Sequence, residues 1–155
     1  MKKGLFAVVV LLGSIFFLGG CIKNTPSVTT INPSMSATVG GNYNFVARYT
    51  SPATLDTQVV DTTTTLLITG QGSDNAHPYD KIVLAINAYK GASKVFSIVQ
   101  VEAGAVYVHN GITSVAAGGV VTITSVSSTT ITGYFSFNTV DNIAITGGQF
   151  TVGKP

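Results

Sequence analysis

From residue 130 to residue 137 the chain alternates two chemistries. Ile131, Gly133, Phe135 and Phe137 share one parity, and Thr130, Thr132, Tyr134 and Ser136 share the other. A period of two sends successive side chains to opposite faces of an extended chain, so only a β-strand gathers each set on one side. The apolar set is predicted to face a core and the hydroxyl set to face water. A helix would scatter both sets around its axis.

The same period recurs along the chain. Met35, Ala37 and Val39 alternate with Ser36 and Thr38, Gly40 and Gly41 supply a turn, and Tyr43, Phe45, Ala47 and Tyr49 alternate on the return. Residues 51–61 read as loop, and residues 63–69 as a β-branched strand. Residues 71–79 hold Gly72, Ser73, Asp74, Asn75, His77 and Pro78 and read as a second loop. Residues 81–89 fit either period, since Ile82, Leu84 and Ile86 suit a strand while Ile82, Val83, Ile86 and Tyr89 suit a helix. We assign a strand that forms a hairpin with residues 94–100 across Gly91. Asn110 and Gly111 suit a type I′ turn between residues 106–109 and 112–115. Residues 120–125, 129–138 and 143–152 complete the set. With Thr, Ser, Val, Ile and Gly abundant and only 9 % of residues charged, the class is all-β.

The N-terminus follows another logic. Lys2 and Lys3 precede an apolar run over residues 5–17 broken only by Gly13 and Ser14, and Leu18, Gly19, Gly20 and Cys21 follow. Charge, apolar stretch and small residues in that order make a secretory signal, helical while it is inserted. The run falls short of the roughly 20 apolar residues that a spanning helix needs. Leu18, Gly19, Gly20 and Cys21 resemble the lipobox of bacterial lipoproteins. The resemblance implies cleavage between Gly20 and Cys21, a diacylglycerol on the thiol and an acyl chain, palmitate among the candidates, on the new amine. Cys21 is the sole cysteine, so no internal disulfide competes for it. Each buried methylene contributes about 0.8 kcal/mol, and two or three chains hold a protein at a membrane where one does not. No other cofactor is expected.

This divides the chain into a signal over residues 1–20, a lipidated tether over 21–33 and an all-β domain over 34–155. The tether is polar, with Thr25, Pro26, Ser27, Thr29, Thr30 and Pro33, and spans roughly 20 Å when flexible. Cleavage removes Lys2 and Lys3 and leaves six basic and six acidic side chains. A neutral domain offers no clustered cations for phosphate contacts, which excludes nucleic acid as a partner. By analogy with other lipoproteins, the absence of Asp at Ile22 points to the outer membrane. Ile22, Lys23 and Asn24 also lack the acidic cluster of many surface-exported lipoproteins, which points to the periplasmic face.

Residues 35–45, 82–86, 119–124, 131–137 and 145–152 resemble a family of small, uncharacterised lipoproteins of Bacteroidota grouped as a domain of unknown function. The resemblance implies an antiparallel β-sandwich or flattened barrel behind a lipid anchor. It carries over no catalytic residue.

Reactive chemistry is sparse. Ser73, Asp74 and Asn75 match one motif of penicillin-binding enzymes, but the chain has no Ser-x-x-Lys and no Lys-Thr-Gly. Gly-x-Ser-x-Gly and His-Glu-x-x-His are absent as well. His77 and His109 have no metal-ligand spacing, and no metal site is assigned. Asp74, Asn75 and Asp80 make a candidate calcium or ligand loop, because calcium prefers oxygen ligands; the alternative is that they serve turn geometry. Tyr79, Tyr89, Tyr107 and Tyr134 make a candidate aromatic platform for a glycan or peptide, against the alternative of core-edge packing. The sequence therefore favours a membrane-anchored, non-enzymatic binding or structural module for an envelope protein or small ligand. The alternative is a glycan-directed hydrolase, with a carboxylate pair drawn from six acidic residues.

Overall fold

The computed structural model describes residues 34–50, 54–57, 64–72, 75–98 and 102–155. The signal, Cys21, the tether and Asp74 lie outside the described residues. All regular structure among the described residues is strand: β1 (Ser34–Val39), β2 (Tyr43–Val46), β3 (Tyr49–Thr50), β4 (Thr54–Thr57), β5 (Thr64–Gln71), β6 (Lys81–Ile86), β7 (Lys94–Ser97), β8 (Ala103–His109), β9 (Ile112–Val126), β10 (Thr130–Thr139) and β11 (Ala144–Gly153). They pair antiparallel in the order β2, β1, β11, β10, β9, β8, β6, β5, β3, with β4 added on β5 and β7 on β9. The sheet curls into a half-barrel around one core.

The predicted alternation sets the inside and the outside. In β10, Ile131, Gly133, Phe135 and Phe137 are buried and Tyr134 is exposed. Met35, Ala37 and Val39 of β1 and Ile82, Leu84 and Ile86 of β6 behave the same way. A side chain of this size contributes about 1.5–3 kcal/mol when fully buried, so a one-residue slip of any strand would forfeit several such contributions. Asn110 and Gly111 both have positive φ, 49° and 80°, and form the expected tight turn.

Four local readings change. Residues 81–86 form a strand, but β6 pairs with β5 and β8 and not with β7. Both of its edges are taken, so β7 crosses to β9 instead. Residues 112–115 and 120–125, read as separate strands, belong to the single 15-residue β9. Its start pairs with β8 through Val115, and its later part pairs with β10 from Ala116 onward. β7 fills the edge that β8 leaves, with the Ile98 amide donating to Gly119 O. Gly119 sits there at φ +150°, and a Cβ on it would lie 2.2 Å from Ser136 O. The alternation through Tyr43 and Tyr49 is broken between β2 and β3. The Ala47 amide donates to Met35 O and the Arg48 amide to Gly72 O, so these two residues join the opposite ends of the strand order. Finally, Thr54–Thr57, read as loop, pairs with β5 as β4.

Candidate functional site

Three turns and one loop meet at one end of the half-barrel. The turn after β1 is tied to β11 by Gly40 N donating to Ala144 O, and the turn after β10 is tied to β9 by Val140 N donating to Val115 O. Thr139 fixes the rim further, its buried Oγ1 accepting from the Ile143 amide. Between them opens a cleft of about 510 Å3 lined by Val39, Asn42, Tyr43, His77, Tyr107, His109 and Ile143.

The period of β8 sends Tyr107 and His109 to the same side. Tyr107 is buried, and His109, at the strand end, is 43 % exposed. Asp80 enters from the loop before β6. The Gly72 amide donates to Asp80 O and the Asp80 amide to His77 O, which draws the carboxylate under β8. Its side chain is only 1 % exposed. A buried carboxylate must be well partnered to be tolerated, and this one is. Tyr107 Oη donates to Oδ2 at 3.0 Å, and His109 Nδ1 lies 3.0 Å from both carboxylate oxygens. Asn110 Nδ2 lies 3.0 Å from His109 Nε2. With Nδ1–H donating to Asp80, Nε2 is left to accept from Asn110, which assigns the Nδ1–H tautomer.

Rings extend the network across the cleft. Tyr43 and His77 have centroids 4.7 Å apart, His77 and His109 5.6 Å, and His109 and Tyr107 6.1 Å. Burial, reinforced by the hydrogen bond and charge of Asp80, raises the Tyr107 phenol well above its ordinary range. The cleft thus has apolar walls at Val39 and Ile143, four aromatic rings, and polar atoms held in fixed directions.

The sequence candidates divide. Of the proposed oxygen-ligand loop, Asn75 Oδ1 accepts from Arg48 Nη2 at 2.8 Å and Asp80 is committed to Tyr107 and His109. The two therefore serve different partners. Among the described residues no group of three His, Cys, Asp or Glu side chains is placed to hold a metal ion. The four tyrosines do not share a face. Tyr79 and Tyr134 are 73 % and 55 % exposed, whereas Tyr89 and Tyr107 are buried. Tyr107 borders the cleft, and Tyr89 packs on Phe96. The buried Tyr89 hydroxyl has no hydrogen-bond partner among the described residues, and burial raises its pKa.

His77 and His109, 32 positions apart in sequence, do meet. Tyr43 and Asn110 join them, although the sequence marked the first only as part of an alternating strand and the second only as a turn residue. The one local signal was that Tyr107 and His109 share a strand face. A second cavity of about 570 Å3 includes Ala88, Ala92, Phe96, Lys94 and Glu102 in its lining. There Lys94 Nζ lies 3.4 Å from Glu102, which also accepts from the Ser97 amide. These bonds hold the Glu102 carboxyl below its usual range and leave its charge already answered.

No family model matches this chain, and no curated protein or solved structure matches it either.

Proposed function

We propose that this chain is a lipid-anchored envelope lipoprotein of the outer membrane, facing the periplasm, whose flattened-barrel domain binds a small ligand at its mouth. The anchor half of the reading is supported by Lys2 and Lys3, the apolar run and Cys21. The binding half rests on one observation: buried Asp80 holds His109 and Tyr107 in fixed orientation at the edge of a ring-lined cleft. Such a cleft suits a planar, largely apolar ligand. The walls and rings cover its faces, and the exposed amide of Asn42 at the rim orients it.

Calorimetric titration of the mature lipoprotein in detergent tests this, with adenosine, uridine, tryptophan and indole as probes. At least one should saturate a single site, and His109→Ala and Tyr43→Ala should each weaken it about tenfold. If none of the four binds, or if both variants bind like the parent, the mouth is not a ligand site.

A glycan-directed hydrolase is the second reading. Asp80 orients the His109 imidazole as a carboxylate orients a general base. Two arrangements support preferring the first reading. Glycoside hydrolysis needs two carboxyl groups about 5–10 Å apart across the bond; among the described residues Asp80 lies beneath the mouth, Glu102 lines another cavity and Asp141 stands exposed in the turn after β10. Nε2 of His109, the atom that would take a proton, is already held by Asn110.

A further inference from the structure

The outward face of β2, β1, β11, β10 and β9 lies away from the mouth, and none of these five strands contains a Lys, Arg, Asp, Glu or His. One lateral row crosses the face and continues onto β7, with Val46, Ser36, Gln149, Tyr134, Thr122 and Val95 as successive cross-strand partners. In the neighbouring row, Ser34 pairs with Thr151 and Thr151 with Thr132. The Thr132 and Thr124 hydroxyls are 3.3 Å apart.

Tyr134, 55 % exposed, stands with Gln149 between two troughs and lines both. The trough of about 170 Å3 carries Ser34, Ser36, Thr124, Thr132 and Thr151. The trough of about 280 Å3 carries Val120, Thr122 and Ser136, and reaches Gly147, which has no side chain to fill it.

We propose that this face is a binding platform for an uncharged oligosaccharide, with Tyr134 stacking against one sugar ring and flanking sugars lying in the two troughs. Three features point to that ligand. Ser, Thr and Gln both donate and accept hydrogen bonds, as sugar hydroxyls require. An exposed tyrosine offers an apolar ring face with a polar tip. The absence of charged residues from these five strands matches a neutral chain and offers an anionic one no cation on them. The two valines of the row lie at its ends, and Val120 is the exposed valine of the larger trough. This proposal does not depend on the reading of the mouth.

The test is calorimetric titration of the mature lipoprotein in an amine-oxide detergent, which carries no sugar head group. The probes are maltohexaose, cellohexaose, mannohexaose and xylohexaose, with hexagalacturonate as the anionic comparator. At least one neutral hexaose should bind, and hexagalacturonate should not. Tyr134→Ala should weaken binding about tenfold, Tyr134→Phe should retain most of it, and Tyr79→Ala, another exposed tyrosine, should leave it unchanged. Sedimentation with and without the hexaoses reads the competing occupant, a second copy of the chain. The proposal is overturned if no neutral hexaose binds at millimolar concentration or if hexagalacturonate binds as well as the best of them. It is overturned equally if Tyr134→Ala binds like the parent, or if that substitution abolishes self-association and not sugar binding.

Discussion

Asp80 and His109, 29 positions apart in sequence, meet at the mouth, with both carboxylate oxygens 3.0 Å from Nδ1. The contact couples the loop before β6 to the end of β8. It also fixes the imidazole, because a carboxylate that only accepts requires a hydrogen on the nitrogen it faces.

Replacing Asp80 tests how much stability the contact contributes. Asp80→Ala leaves the buried Tyr107 Oη and the partly exposed His109 Nδ1 without their acceptor. It should destabilise the domain by about 3 kcal/mol, read as a fall in the urea midpoint. Asp80→Asn keeps the shape but presents an amide to Nδ1, and the 15N shifts of His109 should report a changed tautomer. A stability change under about 0.5 kcal/mol for Asp80→Ala would mean that the network is not structural.

Alkaline pH reads the same network from the phenol side. Tyr107 is raised above the ordinary 10.0 by burial first and by Asp80 second. In the unfolded chain the phenol ionises near 10, while in the folded chain it keeps its proton. Above that point the native state binds more protons than the unfolded state, and stability falls as pH rises. The urea midpoint should therefore show no pH dependence from Tyr107 below about pH 9, where its contribution is fully present, and decline above pH 10. Tyr107→Phe should start less stable, having lost the bond to Asp80, yet decline less steeply. Equal slopes in the two proteins would contradict the assignment.

Packing behind the sheet separates two glycines. A Cβ on Gly133 would lie 2.2 Å from Thr122 O and 2.5 Å from the Phe150 ring, while one on Gly104 meets nothing within 4 Å. Gly133→Ala should destabilise by about 2 kcal/mol or more, because backbone must move. Gly104→Ala should be neutral or slightly stabilising, by up to about 1 kcal/mol, because it lowers unfolded-state entropy in a strand. Thermal unfolding of the two variants, expected to fall in that order, checks the argument.

The anchor is tested by labelling. Cys21→Ser removes the thiol proposed to take the glyceride, so on this reading the chain should stay uncut and take up no radioactive palmitate. Equal labelling of variant and parent would remove the lipoprotein reading and leave the fold untouched.

Much of the fold was legible because the pleat is a local property. Whether Ile131 or Thr132 faces the core follows from parity alone, and Asn110 and Gly111 tolerate positive φ without help from neighbours. The outward hydroxyl set of β10 was visible for the same reason, although its extension across six strands was not.

The sequence alone determined the strand class, the inward face of most strands, one tight turn and a sparsely charged composition, since each is read directly from residue types and their immediate neighbours. Tertiary structure decided that β7 would join β9 and not β6, that β9 would run unbroken past Gly119, and that Ala47 and Arg48 would bring the two ends of the sheet together. It also brought Asp80, His109, His77 and Tyr43 to one mouth. Strand partners are chosen by comparing pairings across the whole chain, and no stretch of sequence holds that comparison within itself.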